Sequence, residues 1–166
     1  MQAGLLILRA VVGLVMAAHG SQKLFGWFGG YGIAGTGGFL ESLGFRPGRL
    51  FAAAAGYAEF VGGLLIALGF LGPIGPMLVL ATMVVAAISV HWQNGLFAAS
   101  NGIEVPLLFG TIAVALALTG PGALSLDGLF GLTPFWTPET GLAAIAVGVI
   151  GAVANLAARR PAPVEA

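Results

Sequence analysis

Apolar residues fill five long stretches of the chain, and polar or turn-forming residues gather between them. The stretches run over residues 2–19, 50–70, 77–91, 103–119 and 138–158. A helix needs about 20 apolar residues to cross a hydrocarbon core of about 30 Å, and these stretches approach that length. The pattern predicts five membrane helices. The second and third form an antiparallel pair, because only a short Gly- and Pro-containing turn joins them.

The first connection, over residues 21–49, differs from the others because it is long, glycine-rich and aromatic. Within it, residues 36–43 place Phe39, Leu40 and Leu43 on a short apolar helix. Trp27 and Tyr31 belong to a residue class that gathers at the boundary between membrane and water. We therefore predict that this connection lies along the membrane interface.

Composition agrees with an all-α integral membrane protein. Of 166 residues, 58% are hydrophobic and only 7% are charged, and the mean hydropathy is +1.03, whereas a soluble domain carries about 25% charged residues. The chain has no cysteine, which excludes a disulfide framework, a thiolate zinc site and an iron–sulfur cluster. The net charge of zero and the lack of a long basic run exclude nucleic acid as a partner.

The basic residues predict an orientation. With five spans, the side that holds the first connection also holds the C-terminus, and five cations fall there: Lys23, Arg46, Arg49, Arg159 and Arg160. Cytoplasmic loops carry an excess of Lys and Arg. We expect the N-terminus outside and the C-terminus in the cytoplasm.

Two charged residues lie inside predicted spans. Arg9 precedes the end of the first helix at His19 by about 15 Å, and Glu59 follows the start of the second at Leu50 by about 14 Å, at 1.5 Å per residue. Charge within a bilayer requires a partner, so we expect Arg9 and Glu59 to form a buried ion pair. This pair either locks two helices together or serves as a proton or ligand site.

A second polar group is predicted at the cytoplasmic side. The ends of the first and third helices and the start of the fourth lie there at the same depth. Imidazole, ammonium, amide and carboxylate groups together could hold a quinone head group or a small oxyanion. The alternative is ordinary interface chemistry, in which Asn101 and Glu104 cap a helix and Lys23 reaches lipid head groups. The candidate residues are His19, Gln22, Lys23, His91, Asn94, Asn101 and Glu104.

Other cofactors receive less support from the sequence. His19 and His91 are a weak candidate pair for haem, because neither lies inside a long apolar helix that faces a cavity. Gly30, Gly32 and Gly35 match the dinucleotide fingerprint by letter, but a membrane helix and not a strand precedes them. We therefore expect no metal and no covalently or motif-bound cofactor, and keep quinone as the candidate.

Several short motifs resemble the DoxX family of small bacterial membrane proteins. The resemblance covers roughly residues 5–128, which we take as a four-helix core, followed by a region over 129–166 that adds a loop, a fifth helix and a polar tail. It is carried by Arg9, His19-Gly20, Gln22-Lys23-Leu24-Phe25-Gly26, Gly29-Gly30, Gly35-Thr36, Leu43-Gly44, Glu59, Gly62-Gly63, Asn101-Gly102, Glu104, Leu118-Thr119-Gly120-Pro121-Gly122 and Ser125-Leu126-Asp127.

The resemblance implies a protein of the bacterial plasma membrane. It also implies an accessory or anchor subunit of a quinone-linked redox assembly, since the family includes the membrane subunit of a thiosulfate:quinone oxidoreductase. Catalysis would then need an oxidoreductase partner. One alternative is a small carrier or channel that uses the Arg9–Glu59 pair. Another is a structural protein, or a homo-oligomer, that binds through small residues of the fifth helix such as Ala144, Gly148 and Ala152.

Overall fold

Within residues 2–160, which the computed structural model describes, the chain forms seven α-helices and no strands. The helices are α1 (Gln2–Phe25), α2 (Gly32–Ser42), α3 (Gly48–Leu68), α4 (Ile74–Ala86), α5 (Glu104–Thr119), α6 (Leu126–Leu129) and α7 (Pro138–Ala157). A π-helical turn over Ala87–His91 and a 3-10 turn over Trp92–Asn94 extend α4. The predicted all-α class is confirmed.

Four helices are long and apolar enough to cross a membrane: α1, α3, α7, and α4 with its extension to Asn94. Helix α5 is apolar but shorter, at 16 residues, which is about 24 Å. The predicted fifth helix is thus one of the four long ones, and the predicted fourth is the one that falls short. Helix composition makes the chain a multi-pass membrane protein.

Helices α1 and α3 pack with their backbones in contact. A Cβ atom on Gly13 would overlap the backbone of Ala67, and one on Gly20 would overlap the backbone of Phe60. On the other helix, a Cβ on Gly63 would overlap the backbone of Ala17. Small residues permit this approach in membranes, where helices gain van der Waals packing instead of hydrophobic burial.

The interior lies between α1, α3, α4 and α5. Its buried apolar cluster consists of Val12, Met16, Ile66, Val79, Leu80, Met83, Ala113 and Leu116. The outward faces are apolar too, as on α1, where Ile7 is 63% exposed and Leu14 is 59% exposed. A surface of this kind is stable against lipid tails and not against water.

Helix α7 packs on α4 and α5, so the extra helix belongs to the bundle. Thr137 begins it as predicted, because its side-chain oxygen accepts a hydrogen bond from the Thr140 amide. Gly148 and Ala152 are buried, and Gly148 lies against the carbonyl oxygen of Met77 on α4. Two of the three small residues expected to bind another protein are thus buried within this chain, and the binding of a partner by α7 stays a prediction.

The α1–α3 contact generates a prediction. Gly20→Ala should destabilise the protein by roughly 1–3 kcal/mol, because the new methyl group must separate two backbones that cannot yield locally. Gly4→Ala, on the same helix with nothing near its Cβ position, should be neutral or slightly stabilising. Unfolding in mixed micelles compares the two. Equal stability of both variants would contradict the packing described here.

Candidate functional site

A cavity of about 440 Å³ lies among α2, α3, α4 and α7. Its wall is mostly apolar, with Phe39, Phe45 and Phe51 among the larger side chains. Three ionisable residues also line it: Lys23, Glu59 and His91. Sequence reasoning predicted all three as site residues. It placed Lys23 and His91 in one polar group, however, and paired Glu59 with Arg9.

Lys23 and Glu59 form an ion pair across the α1–α3 contact. Lys23 lies in the last turn of α1, and Glu59 lies near the middle of α3. The Glu59 side chain is only 5% exposed, whereas that of Lys23 is 29% exposed. A buried carboxylate requires such a partner, because desolvation of an unpaired charge costs several kcal/mol.

The predicted Arg9–Glu59 pair is wrong, and the length of α1 explains why. The helix does not end at His19 but continues to Phe25, which brings Lys23 onto it. Because Gly20 lies against Phe60, Arg9 is roughly 16 Å along α1 from the level of Glu59. Arg9 and Glu59 are both buried as expected, at 2% and 4% exposure, but at different depths in the bundle.

Arg9 belongs to a polar cluster at the opposite end of the bundle. Its Nη2 donates a hydrogen bond to the carbonyl oxygen of Leu124, three residues before Asp127. Asp127 is fully buried and accepts hydrogen bonds from the amides of Leu71 and Gly72 at 3.0 and 2.7 Å. This cluster ties the loop after α3 to the loop that contains α6. Sequence reasoning missed this cluster, although Arg9 and Asp127 both belong to the recognised motifs.

His91 lies at the end of the π-helical turn that extends α4. Its Nδ1 is 2.8 Å from the carbonyl oxygen of Asn101. A carbonyl can only accept, so Nδ1 carries the proton, and Nε2 of the neutral ring is an acceptor. Single π-helical turns within α-helices occur frequently at functional sites. Here the turn contributes Ser89, Val90 and His91 to the cavity wall.

The remaining predicted residues are not part of the cavity wall. His19 packs edge-on against Phe109, with ring centroids 6.3 Å apart, and Gln22 donates to the carbonyl of Phe28 at 3.1 Å. In the loop after α4, the Asn94 amide donates to the Asn101 carbonyl at 3.2 Å. Glu104 accepts from the Ala98 amide at 2.7 Å. Asn94, Asn101 and Glu104 therefore shape the loop that holds His91. The cap position of α5 is Ile103 and not Asn101.

Polar groups that the sequence did not single out complete the cavity wall: Thr36, Thr82, Ser89 and Asn155. The hydroxyls of Thr82 and Ser89 donate to carbonyls of their own helix at 2.9 and 2.6 Å, so their oxygens remain as acceptors. Asn155 lies on α7, outside the predicted core. Only its helical spacing from Gly148 and Ala152, which the sequence reading had placed on one face, could have indicated its inward position.

These observations define a multi-pass helical membrane protein with a mostly apolar cavity, near one end of its spans, that also contains ionisable residues. A family model described as DoxX matches residues 4–92, more than half of the chain. The chain belongs to the DoxX family. The matched part covers α1 to α4 and their connections, and so includes the Lys23–Glu59 pair and His91.

A relative in Bacillus subtilis (strain 168), named "Putative oxidoreductase CatD", is 30% identical over 124 residues. The aligned region covers 75% of this chain and 84% of the relative. No solved structure matches significantly.

The revised pairing can be tested by double-mutant cycles. For Lys23→Met with Glu59→Gln we expect a coupling free energy of about 1–2 kcal/mol, because each single change leaves the other partner unpaired. For Arg9→Met with Glu59→Gln, the effects should add to within about 0.5 kcal/mol, since the sites are independent. Unfolding in mixed micelles measures both cycles. Coupling to Arg9 that equals coupling to Lys23 would contradict the structure.

Proposed function

We propose that the protein is a membrane subunit of a redox assembly and that its cavity holds a quinone head group. The single observation that carries the proposal is the grouping of Lys23, Glu59 and His91 in one mostly apolar cavity. A quinone needs this combination, because its carbonyl oxygens require hydrogen-bond donors while its ring and isoprenoid tail require apolar surface.

The cavity suits this ligand in size and in composition. Its volume of about 440 Å³ lies within the roughly 300–1,000 Å³ of small-molecule sites, which are mainly apolar with a few placed polar groups. Phe39 is half exposed, so the cavity wall continues onto the surface that faces lipid. A membrane-soluble ligand would reach the polar groups from the bilayer.

The residues of the chain have distinct roles in this proposal. The Lys23 ammonium donates a hydrogen bond to a carbonyl oxygen of the ligand, and Glu59 keeps that ammonium in position. His91, whose ring is oriented by the Asn101 carbonyl, is placed to exchange a proton at Nε2. When bound, a quinone supplies redox chemistry that takes up two electrons and two protons.

The electrons must come from another component, which is why we propose a subunit rather than a complete enzyme. The chain has no cysteine and hence no thiol redox pair. The name of the Bacillus subtilis relative is that of an oxidoreductase, and the resemblance noted from the sequence points to the same class. The distribution of Lys and Arg supports the cytoplasmic side as the location of the cavity and of such a partner.

Quinone binding should depend on one histidine and not on the other. His91→Leu should weaken binding of a short-chain naphthoquinone by about tenfold, since it removes one hydrogen-bonding group from a mostly apolar site. His19→Leu, outside the cavity, should leave the affinity within about twofold. Fluorescence quenching of the protein in detergent measures both. Equal affinities of the two variants would contradict the site.

Purification in mild detergent from the native membrane tests the assembly itself. We expect an oxidoreductase subunit at a stoichiometric level in the mass spectrum, together with quinone in the lipid extract. A preparation that contains only this chain, and no quinone, would overturn the proposed function.

A further inference from the structure

Three arginines lie around a single short loop at the end of the bundle. The loop over residues 43–45 joins α2 to the start of α3, and Arg46 follows it directly. The end of α7 reaches the same loop, where the amide of Arg160 donates to the carbonyl of Gly44 at 2.7 Å. Arg46, Arg159 and Arg160 are hereafter called the arginine platform.

Arg159 is held in place by two contacts. Its Nε donates to the carbonyl of Leu43 at 3.0 Å, and its guanidinium lies over the Phe45 ring, 5.3 Å from the ring centroid. Phe45 is only 1% exposed, so the ring is a fixed support. Neither contact uses the terminal nitrogens of Arg159, which remain as a planar fork suited to a phosphate.

The platform carries more positive charge than its surroundings neutralise. Among residues 2–160, the ion pair present is that of Lys23 with Glu59, and no platform arginine takes part in one. The nearby carboxylate of Glu41 accepts a hydrogen bond from the Gly48 amide at 2.9 Å. Arg46 and Arg160 are exposed. The platform can therefore attract an anion.

The depth of the platform identifies the kind of anion. Helix α7 ends at Ala157 and α3 begins at Gly48, so all three arginines lie just beyond the ends of apolar spans, at the level of lipid phosphates. Phe45 also lines the cavity, and so does Asn155, one helical turn before Arg159. Apolar cavity wall thus adjoins the positive charge.

We propose that the arginine platform binds the phosphate of an anionic phospholipid, with one acyl chain along the mouth of the cavity. The inference does not depend on a quinone being the ligand deeper inside. An acidic protein partner would also fit the charge. The lipid is favoured because the platform lies at phosphate depth and adjoins an apolar cavity that opens beside it.

Native mass spectrometry of the delipidated protein with added lipid tests this proposal. We expect phosphatidylglycerol to bind in preference to phosphatidylcholine with the same acyl chains. Arg159→Gln and Arg46→Gln should each weaken phosphatidylglycerol binding about fivefold, the usual effect of one basic residue near a membrane surface. Neither should change phosphatidylcholine binding.

Arg49→Gln is the matched control. Arg49 is an exposed arginine in the first turn of α3, but its stem packs against Gly37 of α2. It should retain phosphatidylglycerol binding within about twofold. Equal binding of the two lipids, or an equal loss in Arg49→Gln, would overturn the proposal in favour of diffuse surface charge or a protein partner. If Arg159→Gln unfolds, Arg46→Gln, whose side chain is exposed, decides the matter.

Discussion

The close contact between α1 and α3 sets the arrangement of the other functional parts. Gly13, Gly20 and Gly63 let the two backbones touch, so the register of the pair is fixed by main-chain contact and cannot adjust to side-chain charges. That register brings Lys23 to Glu59 and takes Arg9 away from it. Which buried charges meet is therefore a consequence of glycine positions.

Two polar centres at opposite ends of the bundle follow from this register. Arg9 donates to the Leu124 carbonyl, and Asp127, three residues further along the chain, ties two loops together. Nearer the other end, the Lys23–Glu59 pair borders a cavity. At the second centre Lys23 and Glu59 provide each other with the partner that a buried charge requires, whereas Arg9 donates to a backbone carbonyl. Only the second adjoins a space large enough for a ligand, and this is why the proposed function is located there.

The sequence predicted the helices well, because runs of about 20 apolar residues reflect the thickness of a membrane. It misjudged the end of α1, where Gly20, Ser21 and Gln22 resemble a helix stop. In the structure Gly20 packs against α3, and the Ser21 hydroxyl donates to the Ala18 carbonyl at 2.7 Å, so the helix continues. That error of about six residues moved the expected level of Arg9 by about 9 Å. The register of α1 against α3, which places Gly20 beside Phe60, accounts for the rest of the separation from Glu59.

The candidate site was only partly accessible to sequence reasoning. Lys23, Glu59 and His91 were recognised as unusual polar residues, yet their convergence depends on how α1, α3 and α4 pack. Asn155 could not be assigned to the cavity without knowing that α7 joins the bundle. Glu104 and Asn101 resembled ligands because their side chains are polar, whereas they stabilise a loop.

Photoaffinity labelling with an azido-quinone in native membranes tests the central claim most directly. The account predicts that the label attaches to peptides from α2, α3 and the end of α4, and that excess unmodified quinone prevents this labelling. Labelling confined to the region of His19 and Phe109, or labelling that excess quinone does not reduce, would contradict the assignment of the cavity.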